Sequence, residues 1–153
     1  MPHWAYSVSA LDPDKTVRCA GREMRISPKA SVEICTTIRG MRIAAAKTLL
    51  EQVTRKERLI PYKRYNKEVA HHNVEKWHTG RYPVRAALKI LKLVEELEAN
   101  AEYKGLDVEK VKIIHAATQR GMKLRNYIPR AHGRSSPYFN TLTHVELVGY
   151  EGV

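Results

Sequence analysis

The sequence predicts an α+β fold, with three helices, one strand ahead of them and a long β-hairpin behind them. Two observations carry this. Apolar residues recur at helical spacing in three separate stretches, at 28–39, 42–55 and 84–104. Two β-rich stretches follow the last helix, at 108–117 and 141–150, with Gly and Pro between them but no helical stripe. The 153 residues are 43% hydrophobic and 28% charged, which excludes wholesale disorder and leaves material for a core. The length fits one domain, or one domain carrying an extended appendage.

The elements follow in order. Residues 1–16 are mixed, turn at Asp12-Pro13-Asp14, and read as a loose arm. Val17 to Ile26 reads as a strand in which Gly21 marks a bulge or bend. Ser27-Pro28 opens a helix, serine at the N-cap and proline at the first helical position. Val32, Cys35 and Ile38 mark its apolar face, and Gly40 stops it. In the second helix the stripe is Ile43, Ala46, Leu49, Leu50 and Val53, with Arg42, Lys47 and Arg55 off it. Residues 56–82 lose periodicity and gather basic and aromatic side chains: Lys63-Arg64-Tyr65, Lys67, His71-His72, Lys76-Trp77-His78 and Arg81-Tyr82. A loop this long is no passive connector, so a partner is expected to order it. From Val84 the helical period returns through Ala87, Leu88, Leu91, Val94, Leu97 and Ala101, ending before Gly105. Lys89, Lys92, Glu95, Glu96 and Glu98 occupy its solvated side. Val108–Ala117 and Thr141–Tyr150 then pair as hairpin bases, with an irregular far end.

Charge indicates the partner. Lys plus Arg is 27 and Asp plus Glu is 16, a net +11, and the pI is about 9.8. Such an excess favours a polyanion, nucleic acid before an anionic membrane surface. No apolar run approaches the roughly 20 residues of a spanning helix. Met1-Pro2-His3-Trp4-Ala5-Tyr6 lacks the build of a signal peptide, so a cytosolic protein is expected. Cys19 and Cys35 have no partners at metal spacing and read as small buried thiols.

The segment from Lys110 through Val145 contains no Asp or Glu in 36 residues. It holds seven Lys/Arg, namely Lys110, Lys112, Arg120, Lys123, Arg125, Arg130 and Arg134, and three His. An arm of about 16 residues at ~3.3 Å each reaches on the order of 50 Å, more than such a domain is wide. A lone two-stranded ribbon is marginally stable, so this one needs something to lie against. Arg forks suit phosphate, and Tyr127, Tyr138 and Phe139 could stack on splayed bases. The plainer reading is a solvated charged face. A DNA-binding helix-turn-helix at 28–55 competes, but its second helix carries Ala44-Ala45-Ala46 and few base-reading side chains. A nuclease built on His71, His72, His115 or His144 would need a carboxylate nearby, and the basic segment supplies none. No metal or cofactor spacing occurs.

At these residues the sequence resembles the universal large-subunit ribosomal protein family numbered twenty-two in bacteria and seventeen in eukaryotes, in its archaeal/eukaryotic form. The resemblance rests on Gly21 to Lys29 (GREMRISPK), Ile38-Arg39-Gly40-Met41, Gly80-Arg81-Tyr82-Pro83-Val84 and Ala99-Asn100-Ala101-Glu102. Its most specific part is Ile114-His115-Ala116-Ala117 followed by Tyr127 to Arg134 (YIPRAHGR). It spans about 5–150, and the 56–82 loop is similar to the insertion of archaeal and eukaryotic members. Gly121-Met122-Lys123 stands where many members have Gly-Pro.

The resemblance implies a small antiparallel sheet packed with three helices, plus a long extended β-hairpin. The body would cover about 15–107 plus the hairpin bases, the hairpin about 108–150 and its tip about 125–134. It implies no catalysis, no cofactor and no metal. The expected partners are large-subunit ribosomal RNA, neighbouring large-subunit ribosomal proteins and, at the tip, the nascent peptide. The RNA-binding residues would be Arg22, Arg25, Lys29, Lys63, Arg64, Arg81, Tyr82, Lys110, Lys112, Arg120, Lys123, Arg125, Tyr127, Arg130, His132 and Arg134.

Overall fold

The computed structural model describes residues 5–73 and 77–152; Met1 to Trp4 and Lys76, singled out in the sequence, lie outside the described residues. A turn at Pro13–Lys15 delivers the chain into β1 (Thr16–Met24). β1 pairs antiparallel with β5 (Ser135–Glu151), which pairs antiparallel with β4 (Val111–Pro129), giving the order β1-β5-β4. The central strand is therefore the last one. Gly149 lies between Val17 and Ile113 in the register, and a Cβ there would come within 2.8 Å of both Val17 and Val111 side chains. Its bareness lets two valines close over the sheet. The β1 irregularity falls just after Gly21, between Gly21 and Met24, with Glu23 at φ 50.

The described part of the arm before β1 is not loose. Ser7 donates its hydroxyl and its N–H to the buried Glu146 carboxylate, and the Arg18 guanidinium lies 5.6 Å from the Tyr6 ring centroid. An acid buried inside β5 is costly unless bonded, and these donors satisfy it.

α1 (Pro28–Ile38) begins where proline requires, but the Ser27 hydroxyl makes no cap bond; its carbonyl instead accepts from the Ser31 hydroxyl at 2.9 Å. The buried face is Ala30, Ser31, Ile34, Cys35 and Ile38, so the expected Val32 sits at its margin. Gly40, at φ 85, turns the chain and donates its N–H to the Ile113 carbonyl at 2.7 Å. α2 (Ile43–Thr54) buries Ile43, Ala46, Leu49, Leu50 and Val53, the expected stripe.

The described parts of this stretch, 56–73 and 77–82, are less irregular than periodicity implies, and they are ordered from within. β2 (Ile60–Pro61) pairs with β3 (Gly80–Arg81), and Tyr62 and Thr79 extend the ladder at 2.9 Å. Glu33 of α1, only 2% exposed, accepts the N–H groups of Lys63, Arg64 and Tyr65 at 3.1, 2.9 and 2.8 Å. Tyr62 and Val69 join the core, and the Trp77 indole donates to the Tyr62 carbonyl at 3.0 Å. The body's own carboxylate does what an outside partner was expected to do.

α3 (Val84–Tyr103) is rotated from the sequence reading. It buries Ala86, Ala87, Ile90, Leu93, Val94, Leu97 and Ala101, while Leu88 is 44% exposed and Val84 and Leu91 are half-buried. Its end is a Schellman pattern: Gly105, at φ 73, donates to Glu102, and Leu106 to Ala101. The solvated acids are also partly engaged, Glu98 with Lys47 of α2 and Glu96 with the Cys19 thiol at 3.3 Å. Helices and sheet share one core, in which burying each large aliphatic side chain contributes roughly 1.5–3 kcal/mol.

Candidate nucleic-acid interface

β4 and β5 form one ribbon with two different halves. At the root, Val111, Ile113, Ala116, Val145 and Leu147 are core residues. Farther out, no residue from Met122 to Leu142 is buried. Pairing continues to the end, from Lys123↔Thr141 to Pro129↔Ser135, so the far end is a ladder and not the irregular segment expected. Strand pairing uses backbone groups, which is why side-chain pattern does not reveal it. Those seven outer pairs span roughly 23 Å at ~3.3 Å each. The expected 50 Å counted the root, which is core.

The tip closes through Ala131–Gly133, with Arg130 N–H donating to the Arg134 carbonyl at 2.8 Å. His132 and Gly133 both have positive φ, 56 and 66. Lys123, Arg125, Arg130, His132 and Arg134 are all exposed. Tyr127 is 59% exposed and meets Phe139 edge-to-face at 5.6 Å, making an aromatic pair on the free ribbon.

Two bulges shape the ribbon, between Ile113 and His115 and between Arg120 and Lys123. The second lies beside Gly121, where a Cβ would come within 2.9 Å of His144 Nε2. His144 accepts the Glu23 N–H at Nδ1 (3.1 Å) and approaches the Glu23 carboxylate with Nε2 (3.3 Å). His115 Nε2 lies 2.9 Å from Glu146. The basic segment thus does meet carboxylates, Glu146 at its very edge and Glu23 from β1 far back in the sequence. The His144–Glu23 pair ties the hairpin root to β1, and the His115–Glu146 pair ties the hairpin's two strands to each other.

On the body, Lys29 and Arg64 each place their charge 5.7 Å from the Tyr65 ring centroid. Arg81 donates to the Glu68 carbonyl at 3.2 Å and lies 6.0 Å from the Tyr62 ring. Lys63 and Arg22 are exposed. Lys110 is less available than its sequence position implies: it pairs with Asp107 at 3.0 Å, which raises its pKa and lowers that of the aspartate. Lys112 is exposed and bridges to Arg42 through the backbone.

Arg25, Lys29, Tyr82 and Arg120 come together around one groove of about 1090 Å³, between the first turns of α1 and α3 and the hairpin beyond its root. The sequence reading missed Arg85, which lines the same groove. In the sequence it is one more solvated residue of a helix; only the fold sets it opposite Arg120. Ser27 and Pro83, at the caps of α1 and α3, make no side-chain cap bond, and neither first turn carries an acid. Both helix starts therefore keep partial positive charge toward the groove.

Both cysteines are free and buried. Burial, with the Glu96 hydrogen bond behind it, pushes the Cys19 thiol up to about 12. Burial likewise raises Cys35 to about 11. Among the described residues no group of three or more His, Cys, Asp or Glu could hold a metal ion, and no helix is long and apolar enough to cross a membrane.

A body of three helices on a three-stranded sheet, carrying a cationic ribbon, is the arrangement that the resemblance implied. The model of the family described as Ribosomal protein L22p/L17e matches residues 19–149. The large ribosomal subunit protein uL22 of Archaeoglobus fulgidus is 51% identical over 144 residues, covering 94% of this chain and 93% of that protein. Its counterpart in Thermofilum pendens is 46% identical over 151 residues, 99% of each. That of Methanopyrus kandleri is 44% identical over 150 residues, covering 95% and 94%. Similarity at this level runs through body, insertion and hairpin alike, and the chain belongs to the L22p/L17e family of ribosomal proteins.

Proposed function

We propose that this chain is a non-catalytic structural constituent of the cytoplasmic large ribosomal subunit. In this reading it binds large-subunit ribosomal RNA, aids assembly, and lends its hairpin tip to the wall of the nascent-peptide exit tunnel. One domain does this, with its body against ribosomal RNA and neighbouring ribosomal proteins and its ribbon threaded among RNA. The observation that carries the reading is the free ribbon: nothing from Met122 to Leu142 is buried, and no acid occurs from 110 to 145. An unsupported ribbon of one charge sign is marginal in water and gains its order from a polyanion around it. Arg125, Arg130 and Arg134 would grip phosphates, Tyr127 would meet bases, and His132 at the turn would join the RNA contacts of the tip.

The test is a filter-binding series with the full chain and a large-subunit RNA fragment. With 6–10 phosphates contacted, affinity falls about 10³–10⁵-fold between 50 and 200 mM salt, a guide taken from B-DNA. A flat salt response overturns the reading.

A further inference from the structure

We propose that the groove between body and hairpin seats an unstacked stretch of single-stranded RNA, with phosphates on Arg25, Lys29, Arg85 and Arg120 and a base on Phe139. This rests on the RNA-binding reading and assigns it a second site, apart from the tip.

The observations are four. First, the lining contains those four cations and no carboxylate. Among the described residues no acid ion-pairs with Arg25, Arg85 or Arg120. A cleft of one sign concentrates its counter-ion. Second, the cations come from opposite walls, Arg25, Lys29 and Arg85 from the body and Arg120 from the ribbon. A chain of phosphates passing between them can meet both walls, where a flat patch would offer one.

Third, the ribbon wall presents an aromatic face. Phe139, Thr141 and Thr143 share one side of β5 by strand alternation. The Thr143 hydroxyl donates to the Ile26 carbonyl at 2.8 Å, so that side is turned to the body. Phe139 is 44% exposed and is backed edge-to-face by Tyr127, which fixes its ring without covering it. Across the groove Tyr82 is 36% exposed and braced by His72 at 5.9 Å. Duplex RNA has its bases stacked inside and cannot use such a face; a splayed strand can. Fourth, about 1090 Å³ lies at the upper end of the ~300–1,000 Å³ of common small-molecule pockets and leaves room for more than one base.

The experiment uses the full chain and a short uridine-rich RNA strand carrying one 2-aminopurine. Binding should quench the fluorophore as it stacks. Phe139→Leu should remove the quench and weaken binding about tenfold, within the usual worth of one stacked base. Phe139→Tyr should restore both, which separates stacking from misfolding. Arg85→Ala with Arg120→Ala should lower the salt slope by about 1.4, at ~0.7 per phosphate on a single strand. A duplex of equal length should bind without a groove signature. Wild-type binding without quench, or binding that Phe139→Leu leaves unchanged, makes the groove a general polyanion surface and overturns the inference. A large-subunit RNA fragment is titrated in parallel. If wild-type protein holds that fragment while the groove variants match it on the oligonucleotide, the groove assignment alone falls. If wild-type protein binds neither RNA, the broader function falls with it.

Discussion

The carboxylate of Glu33 accepts the backbone N–H of Tyr65 at 2.8 Å, from a side chain only 2% exposed. With the Lys63 and Arg64 N–H groups also on it, one buried acid anchors the insertion at a point 30 to 32 residues downstream. Hydrogen bonds to a charged acceptor contribute about 1.5–3 kcal/mol each, though not additively. Glu33→Ala is therefore expected to lower stability by about 2–4 kcal/mol and open 62–72 to trypsin, with Glu33→Gln intermediate. Urea midpoints and digestion patterns check this; an unchanged midpoint would show the anchor to be idle.

Gly149→Ala should destabilise by roughly 1–3 kcal/mol, as overpacking does in closed cores. The added methyl would meet Val17 and Val111 at 2.8 Å, on two different flanking strands. Thermal melts of the purified variant decide, and a melting point equal to wild type would contradict the packing described.

Removing 124–136 should leave helical circular dichroism intact. Those residues lie on the free ribbon, and Pro137 to Asn140 remain to close the turn. Loss of helical signal would mean that the ribbon supports the body, the reverse of the arrangement here.

Arg130→Glu with Arg134→Glu should reduce incorporation into large subunits, because like charge would face phosphate. Gradient sedimentation of reconstituted particles is the readout. Wild-type incorporation would remove both arginines from the RNA contact set.

For Cys35 the folded pKa of about 11 lies above the ordinary 9.0, because burial disfavours the thiolate. The sign follows: the neutral thiol's contribution to stability is full below pH 9 and is lost as pH rises through about 11. At pH 8 the native thiolate fraction is about a hundredfold lower than in the unfolded chain, and iodoacetamide labelling should slow at least as much. Equal labelling rates in native and urea-unfolded protein would refute the burial.

How far the fold could be read in the sequence depended on whether packing or backbone decided each element. The α2 stripe was legible because its apolar residues leave no other face to bury. α3 carries apolar residues on several overlapping stripes, and packing against α2, β1 and β5 selects Ile90 and Leu93 over Leu88. Glu33 was invisible because its partners are main-chain groups far along the sequence. The outer ladder was missed for a related reason, since Asn126↔Tyr138 and Ile128↔Ser136 pair without any alternating code. Of the candidate interface, the basic ribbon was plain from the missing acids. The groove was not, because Arg85 and Arg120 become neighbours only after the sheet and α3 have packed.

β5 runs unbroken from the tip to the middle of the sheet, and that continuity has a mechanical side. Tension on the tip would not bend a hinge at the hairpin root, because β5 has no joint there. It would travel down β4 and β5 together and be resisted in the sheet, where β1 holds β5 along its other edge. The load would be borne by the sheet.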